Sequence, residues 1–206
     1  MHLNFDNRYI GIQFNTTSCY ELTGYTENEL IALTGIFGYS SDFEIACFEG
    51  IYPNLRIAIE CNALTLQIEL QIGEGIIQNE LMICHTPGEG IGLKVFSNQT
   101  DAAVDAGFSQ IRCLAVGRYK VIEKWNGYIT WGKFGFIIDN YFQNKFVALL
   151  KEYNRKETTL AEILSTKDGE KFWMEKGMSW PGKFDLYAGS ESRVLLQNYK
   201  RKKGLL

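Results

Sequence analysis

The chain has little of what several common functional classes require. Of its 206 residues only 2 are histidine, His2 and His85, which disfavours a structural zinc site or a histidine-based hydrolase triad, since either needs clustered ligands or a well-partnered imidazole. Its 5 cysteines (Cys19, Cys47, Cys61, Cys84 and Cys113) are odd in number and form no C-x-x-C pair. Most lie inside apolar runs, as reduced core thiols do, so no metal is expected and a reducing, cytoplasmic setting is. No apolar run approaches the roughly 20 residues of a membrane span, and no basic segment followed by an apolar one opens the chain, which argues against a membrane partner. Nor is there an excess of either charge: 21 Lys and Arg stand against 24 Asp and Glu, a formal net charge of -3. No overall field then draws the chain to nucleic acid, and such a partner would need a local patch. The one dense basic run, Lys200 to Lys203, reads as a solvated helix end, so nucleic acid is disfavoured.

What is present suits one globular domain, or one domain with an appendage: 46% hydrophobic residues, 22% charged, 20 Gly and only 3 Pro. A chain of this size buries roughly 70% of the surface its unfolded form exposes, enough to fold without a crosslink or metal.

Arg8 to Phe14 alternates weakly and reads as a strand. Thr26 and Glu29 have the spacing of a capping box, followed by Leu30, Ile31 and Leu33. Residues 35 to 50 are not placed by any pattern. From Leu55 the alternation becomes strong, with Leu55, Ile57, Ile59 and Cys61, then Leu64, Leu66, Ile68, Leu70 and Ile72, then an extended run from Ile76 to Cys84. Three antiparallel strands are predicted, with Gly73-Glu74-Gly75 turning the last pair. Leu93, Phe96, Thr100, Ala103 and Val104 share one face of a helix of about four turns that Gly107 would end, and Ile111 to Val116 is a further strand. This βαβ order predicts that the strands flanking the helix run parallel.

Further on, Gly127 to Phe136 reads as a short helix and Asn140 to Tyr153 as a firmer one. Thr159 with Glu162 forms a second capping box. Phe172 to Leu186 reads as an aromatic loop, and a last helix starts near Ser190 with Val194, Leu195 and Tyr199.

Gly88, Gly90 and Gly92 alternate at the strand-to-helix junction. Glycine lets successive backbone N–H groups point into one concavity, and a helix N-terminus adds about half a unit of positive charge, which suits a phosphate. The spacing disfavours two cradles. A Walker loop needs Gly-Lys-Ser/Thr where Gly92, Leu93 and Lys94 stand, and a dinucleotide fingerprint needs glycine at 93 and an acid where Val116 and Gly117 lie.

Gly90-Ile91-Gly92, with Trp131-Gly132-Lys133-Phe134-Gly135-Phe136 further along in matching order, resembles the GNAT superfamily of N-acetyltransferases over about residues 55 to 137. Gly182 to Leu186 followed by Ser190-Glu191-Ser192 is similar, more loosely, to GNAT-like proteins of phages and mobile elements, some of antirestriction type. The resemblance implies an α+β (mixed α/β) fold. Its central sheet would be mixed but largely antiparallel, with a splayed parallel strand pair, spanning 1–137, and 138–206 would be a helical extension packed on that core. It also implies acetyl-CoA or another acyl-CoA as the substrate-like cofactor. Gly88, Glu89, Gly90, Ile91, Gly92 and Leu93 would take the pyrophosphate, Met82, Ile83 and Cys84 would offer backbone to the acyl arm, and Trp131 would stand at the family's tyrosine position.

Two positions depart from the pattern. Pro87 stands where the family has Gln or Arg, and it lacks a backbone N–H. Trp131 replaces a tyrosine that protonates the departing thiolate, and an indole N–H is far too weak an acid for that. Tyr128, three residues earlier, is the substitute candidate. Glu80, with Glu69 and Glu60 as alternatives, is the candidate base for the amine. The expected activity is transfer of an acyl group to the amine of a small molecule or protein, with homodimerisation left open. The rival is a catalytically silent GNAT fold that serves as an interaction protein of a phage or mobile element.

Overall fold

The computed structural model describes residues 20–21, 23–36, 41–48, 54–86, 88–119 and 126–205, the segment 41–48 by its backbone alone. The predicted strand at Arg8 to Phe14 lies outside the described residues, as does Pro87. The chain is a mixed α/β protein with a largely antiparallel sheet, and it divides into two compact units, Met1–Ile111 and Arg112–Leu206. That division falls inside a strand.

In the first unit, α1 (Glu27–Ala32) precedes β1 (Ser41–Phe48), β2 (Asn54–Cys61), β3 (Leu64–Gln71) and β4 (Ile76–Cys84). The four strands form an antiparallel meander in chain order. The alternation that predicted β2 and β3 is the burial pattern observed: Leu55, Ile57, Ile59 and Cys61 are buried, as are Leu64, Leu66, Ile68 and Leu70, and the residues between them are not. β1 is the strand that the unplaced residues 35–50 contain. α2 (Ile91–Asp105) follows β4, and β5 (Gln110–Ala115) straddles the division between the units. The start of β5 is tied to the start of β4, because the Ser109 backbone N–H and hydroxyl both donate to the Gly75 carbonyl, at 2.8 and 3.0 Å.

The capping box at Thr26 forms as its spacing predicts: the Thr26 N–H donates to Glu29 Oε2 at 2.7 Å and the Glu29 N–H to Thr26 Oγ1 at 3.4 Å. Past α1 the backbone meets α2 at Gly35. A Cβ there would overlap the Val95 carbonyl oxygen, and the Asn98 side chain donates to the Gly35 carbonyl at 3.1 Å. α2 also buries polar groups. Ser97 and Thr100 satisfy their hydroxyls on carbonyls one turn back, Leu93 and Phe96. Asn79 of β4 and Gln99 of α2, 3% and 0% exposed, form a reciprocal pair in which each amide donates to the other, at 2.8 and 3.0 Å.

In the second unit the strand order is β5, β7 (Trp180–Asp185), β6 (Ile137–Ile138). Its helices are α3 (Gly127–Lys133), α4 (Gln143–Glu152), α5 (Leu160–Ser165), α6 (Lys167–Lys176) and α7 (Glu191–Lys202). The second capping box forms at Thr159 and Glu162, and α7 starts at Ser190 as predicted. Two features differ from the sequence reading. The region 138–206 is not purely helical, because it contributes β6 and β7, paired antiparallel with Ile137 opposite Lys183 and Ile138 opposite Gly182. The expected aromatic loop at 172–186 is instead the end of α6 followed by β7. Trp180, Gly182 and Phe184 alternate into the core, and the turn-like Trp-Pro-Gly letters hid that strand.

Asn79→Leu and Gln99→Leu, each of which orphans a buried amide, are expected to destabilise the protein by about 1–3 kcal/mol. The double variant should recover part of that loss, so a double-mutant cycle in urea should show coupling. Two purely additive single effects would refute the pairing.

Candidate functional site

The predicted glycine loop leads from β4 into α2. Gly90 is the N-cap of α2 at φ +75°, and Gly88 lies at φ +94°, the left-handed region that favours glycine. Residues 88 to 90 are exposed, and a Cβ on Gly88 or Gly90 would meet no atom within 4 Å. No side chain caps α2 and its first turn holds no acidic residue. The first amides of this 15-residue helix belong to half-buried Ile91 and Gly92 and buried Leu93, and the exposed Glu89 stands just before the N-cap, beside the positive end of the dipole.

Burial pushes the thiol of Cys84, the last residue of β4, above its ordinary pKa, the nearby Gly92 backbone N–H pulls the other way, and neighbouring Cys61 adds a smaller upward push. In the ladder Met82 stands opposite Leu66, Ile83 opposite Thr65 and Cys84 opposite Leu64. The register slips between Gln67 and Ile68, which face Leu81 and Asn79, so Glu80 is the extra residue of a β-bulge and is exposed. Beyond the bulge, Leu81, Met82, Ile83 and Cys84 are all half-buried, in contrast to the strict alternation of β3.

Of the other carboxylates considered, Glu69 is engaged with Arg56 (3.4 Å), Asn54 (3.3 Å) and Gln71 (3.2 Å). Glu60 belongs to a group that sequence reasoning missed. Thr65 Oγ1 donates to Glu60 Oε2 at 2.8 Å and lies 3.0 Å from His85 Nε2, which is 3.8 Å from Glu60 Oε1. The signal lay in the hairpin, since the turn between Cys61 and Leu64 places Glu60 opposite Thr65. The His85 N–H then donates to the Ala63 carbonyl at 2.9 Å, which brings the imidazole alongside.

Tyr128 and Trp131 belong to the second unit, three residues apart on α3. The Tyr128 side chain is 0% exposed, its hydroxyl donates to the Met174 carbonyl at 2.7 Å, and burial raises its pKa. Its own carbonyl accepts two indole N–H groups, from Trp173 and Trp180, each at 2.9 Å. Trp131 packs edge-on against Phe134 and Phe136, with centroids 5.8 and 4.9 Å away. The structure therefore places residues 80–86 and 88–93 on β4, the loop and α2 of the first unit, and Tyr128 and Trp131 in the core of the second.

Among the described residues no group of three His, Cys, Asp or Glu side chains is placed to hold a metal ion, and no helix is long and apolar enough to cross a membrane. Compared with known proteins, the chain matches no family model and no curated sequence.

Gly35 and Gly90 share φ +75° but differ in surroundings, crowded at the first and open at the second. Gly90→Ala is therefore expected to cost only the left-handed strain, about 1–2 kcal/mol. Gly35→Ala adds overlap with the Val95 carbonyl and should cost clearly more. Equal losses in chemical denaturation would contradict this difference. Tyr128→Phe, which strands the Met174 carbonyl, should destabilise by about 1–2 kcal/mol in the same assay.

Proposed function

We propose that the protein binds an acyl-CoA at the start of α2 and transfers its acyl group to an amine, as a GNAT-like N-acyltransferase. The observation that carries this reading is the N-terminus of α2, which no side chain caps and whose first turn holds no acid, preceded by two left-handed glycines that flank Glu89. Its amides are the donors a pyrophosphate requires. The acyl arm would follow the backbone of Met82, Ile83 and Cys84 past the bulge, with a β4 backbone N–H on the carbonyl oxygen. The amine nitrogen attacks the thioester carbon, its proton passes to Glu80 or water, the C–S bond breaks, and the thiolate takes a proton from water.

Charge bears on both substrates. Residues 1–111 carry 3 Lys and Arg against 14 Asp and Glu, so the first unit attracts an ammonium and repels phosphate. Because salt screens that wider field beyond about 8 Å, phosphate binding is decided at contact distance, where the α2 amides must outweigh the adjoining Glu89 carboxylate. The three described free cysteines, Cys61, Cys84 and Cys113, are in keeping with a cytoplasmic protein.

A second reading, a non-catalytic interaction protein of phage or mobile-element type, is supported by the commitment of the Tyr128 hydroxyl to Met174. Calorimetry with acetyl-CoA separates the possibilities. On the enzyme reading acetyl-CoA binds, Gly90→Glu abolishes binding because a second carboxylate joins Glu89 and a side chain is forced into left-handed backbone, and thiol is released on addition of an amine. Tyr128→Phe should leave the rate per folded molecule unchanged. Binding without thiol release favours the second reading, and no binding at millimolar acetyl-CoA overturns the first.

A further inference from the structure

The net charge of -3 conceals a division between the two units. Residues 1–111 hold 3 basic and 14 acidic residues, a balance of -11, whereas residues 112–206 hold 18 basic and 10 acidic, a balance of +8. Within the second unit, residues 133–191 carry equal numbers of each sign. Several of these cations are locally neutralised, Lys133 on Glu170, Arg155 on Glu157 and Asp168, and Lys183 on Asp185. The excess lies in residues 112–124 and, most densely, in residues 193–203, where five cations stand with no acid from 192 to the C-terminus.

α7 shows how that density is displayed. Arg193 is used structurally, donating to the Leu186 carbonyl at 3.2 Å. Lys200, Arg201, Lys202 and Lys203 end the helix, where Arg201 also donates to the Asn198 side-chain oxygen at 3.0 Å and the Lys203 ammonium lies over the Tyr199 ring, 5.7 Å from its centroid. Arg201, Lys202 and Lys203 are exposed and Lys200 is partly so. A helix C-terminus attracts cations through its dipole, but that field falls off within the last turn and is satisfied by one or two. α4 and α6 each end on a single basic residue, Lys151 and Lys176. Four adjacent cations instead repel one another, at a cost that a bound polyanion removes. The helix is not suited to lying in a membrane surface, because its buried residues, Ser192 and Leu196, face its own unit and leave no apolar stripe for lipid.

We infer that the second unit binds nucleic acid through the phosphate backbone, with Lys200, Arg201, Lys202 and Lys203 as the contact. Binding of this kind releases counterions, so it is sequence-independent and weakens steeply with salt. Local cations can act despite the acidic first unit, since fields are screened over about 8–10 Å.

The test is fluorescence anisotropy on the full chain with labelled single-stranded RNA, single-stranded DNA and duplex DNA of about 20 nucleotides, at about 50 and 200 mM salt. Binding to at least one is expected, with the three arms identifying which. Lys200→Glu with Arg201→Glu and Lys202→Glu should weaken it at least tenfold and flatten the logarithmic salt dependence by about 2–3. The control Lys145→Glu with Lys167→Glu, in the charge-balanced segment, should retain most of the affinity. If the triple variant melts early, the outer pair Lys202→Glu with Lys203→Glu supplies the comparison. Absence of binding to all three nucleic acids at the lower salt, equal loss in the control, or binding only to phosphatidylserine vesicles would overturn the inference. None of these outcomes bears on acetyl-CoA binding at α2.

Discussion

The reciprocal amide pair of Asn79 and Gln99 is the constraint on which the first unit depends. Each hydrogen bond adds only about 1 kcal/mol net, but a buried amide without its partner costs about 1–3 kcal/mol, so the pair acts mainly by penalising every other placement of α2. A one-residue slide or a rotation of the helix would separate both bonds at once. The apolar contacts of Leu93, Phe96 and Ala103 supply most of the attraction but are far less particular about direction. The pair thus ties α2 to β4. The Ser109 bonds to Gly75 bring the chain back to the start of the same strand.

The second unit is organised around one acceptor. A carbonyl oxygen has two lone pairs, and that of Tyr128 uses both on indoles from α6 and from the first residue of β7. Together with the bond from the Tyr128 hydroxyl to Met174, this draws α3, α6 and β7 around a single residue. The side chain that the family resemblance made a candidate proton donor is thereby the centre of a core. A phenol held by burial and by a short bond to a carbonyl is a poor acid, which is why the proposed mechanism takes its proton from water.

Much of this was legible in the sequence. The meander from Leu55 to Cys84 could be read because one face is buried and the other is not, so composition alternates with the pleat. Both capping boxes could be read because their chemistry lies within four residues. What escaped notice depended on distant partners. Trp180-Pro181-Gly182 has the letters of a turn, and only burial of alternate residues against the second core makes it a strand. The bulge that exposes Glu80 arises from the register with β3, and the grouping of Glu60, Thr65 and His85 from three strand ends meeting. The glycine loop was visible as a motif, whereas a helix start that no side chain caps is a property of the folded structure.

Whole-chain charge says little about local binding, and the reason is one of length scale. Coulomb energies between exposed groups are screened within about 8–10 Å at working salt, whereas a net charge averages over the whole molecule. The balances of -11 and +8 for the two units lie closer to the scale on which a ligand samples the surface. On that scale the first unit can hold an anion only where amides outweigh carboxylates at contact distance, which restricts the choice to helix starts such as that of α2. The second unit poses the opposite problem, since a cluster of cations at one helix end already destabilises itself and any polyanion relieves it. A chain with almost no net charge can therefore carry two surfaces of opposite preference, each described by its own local balance.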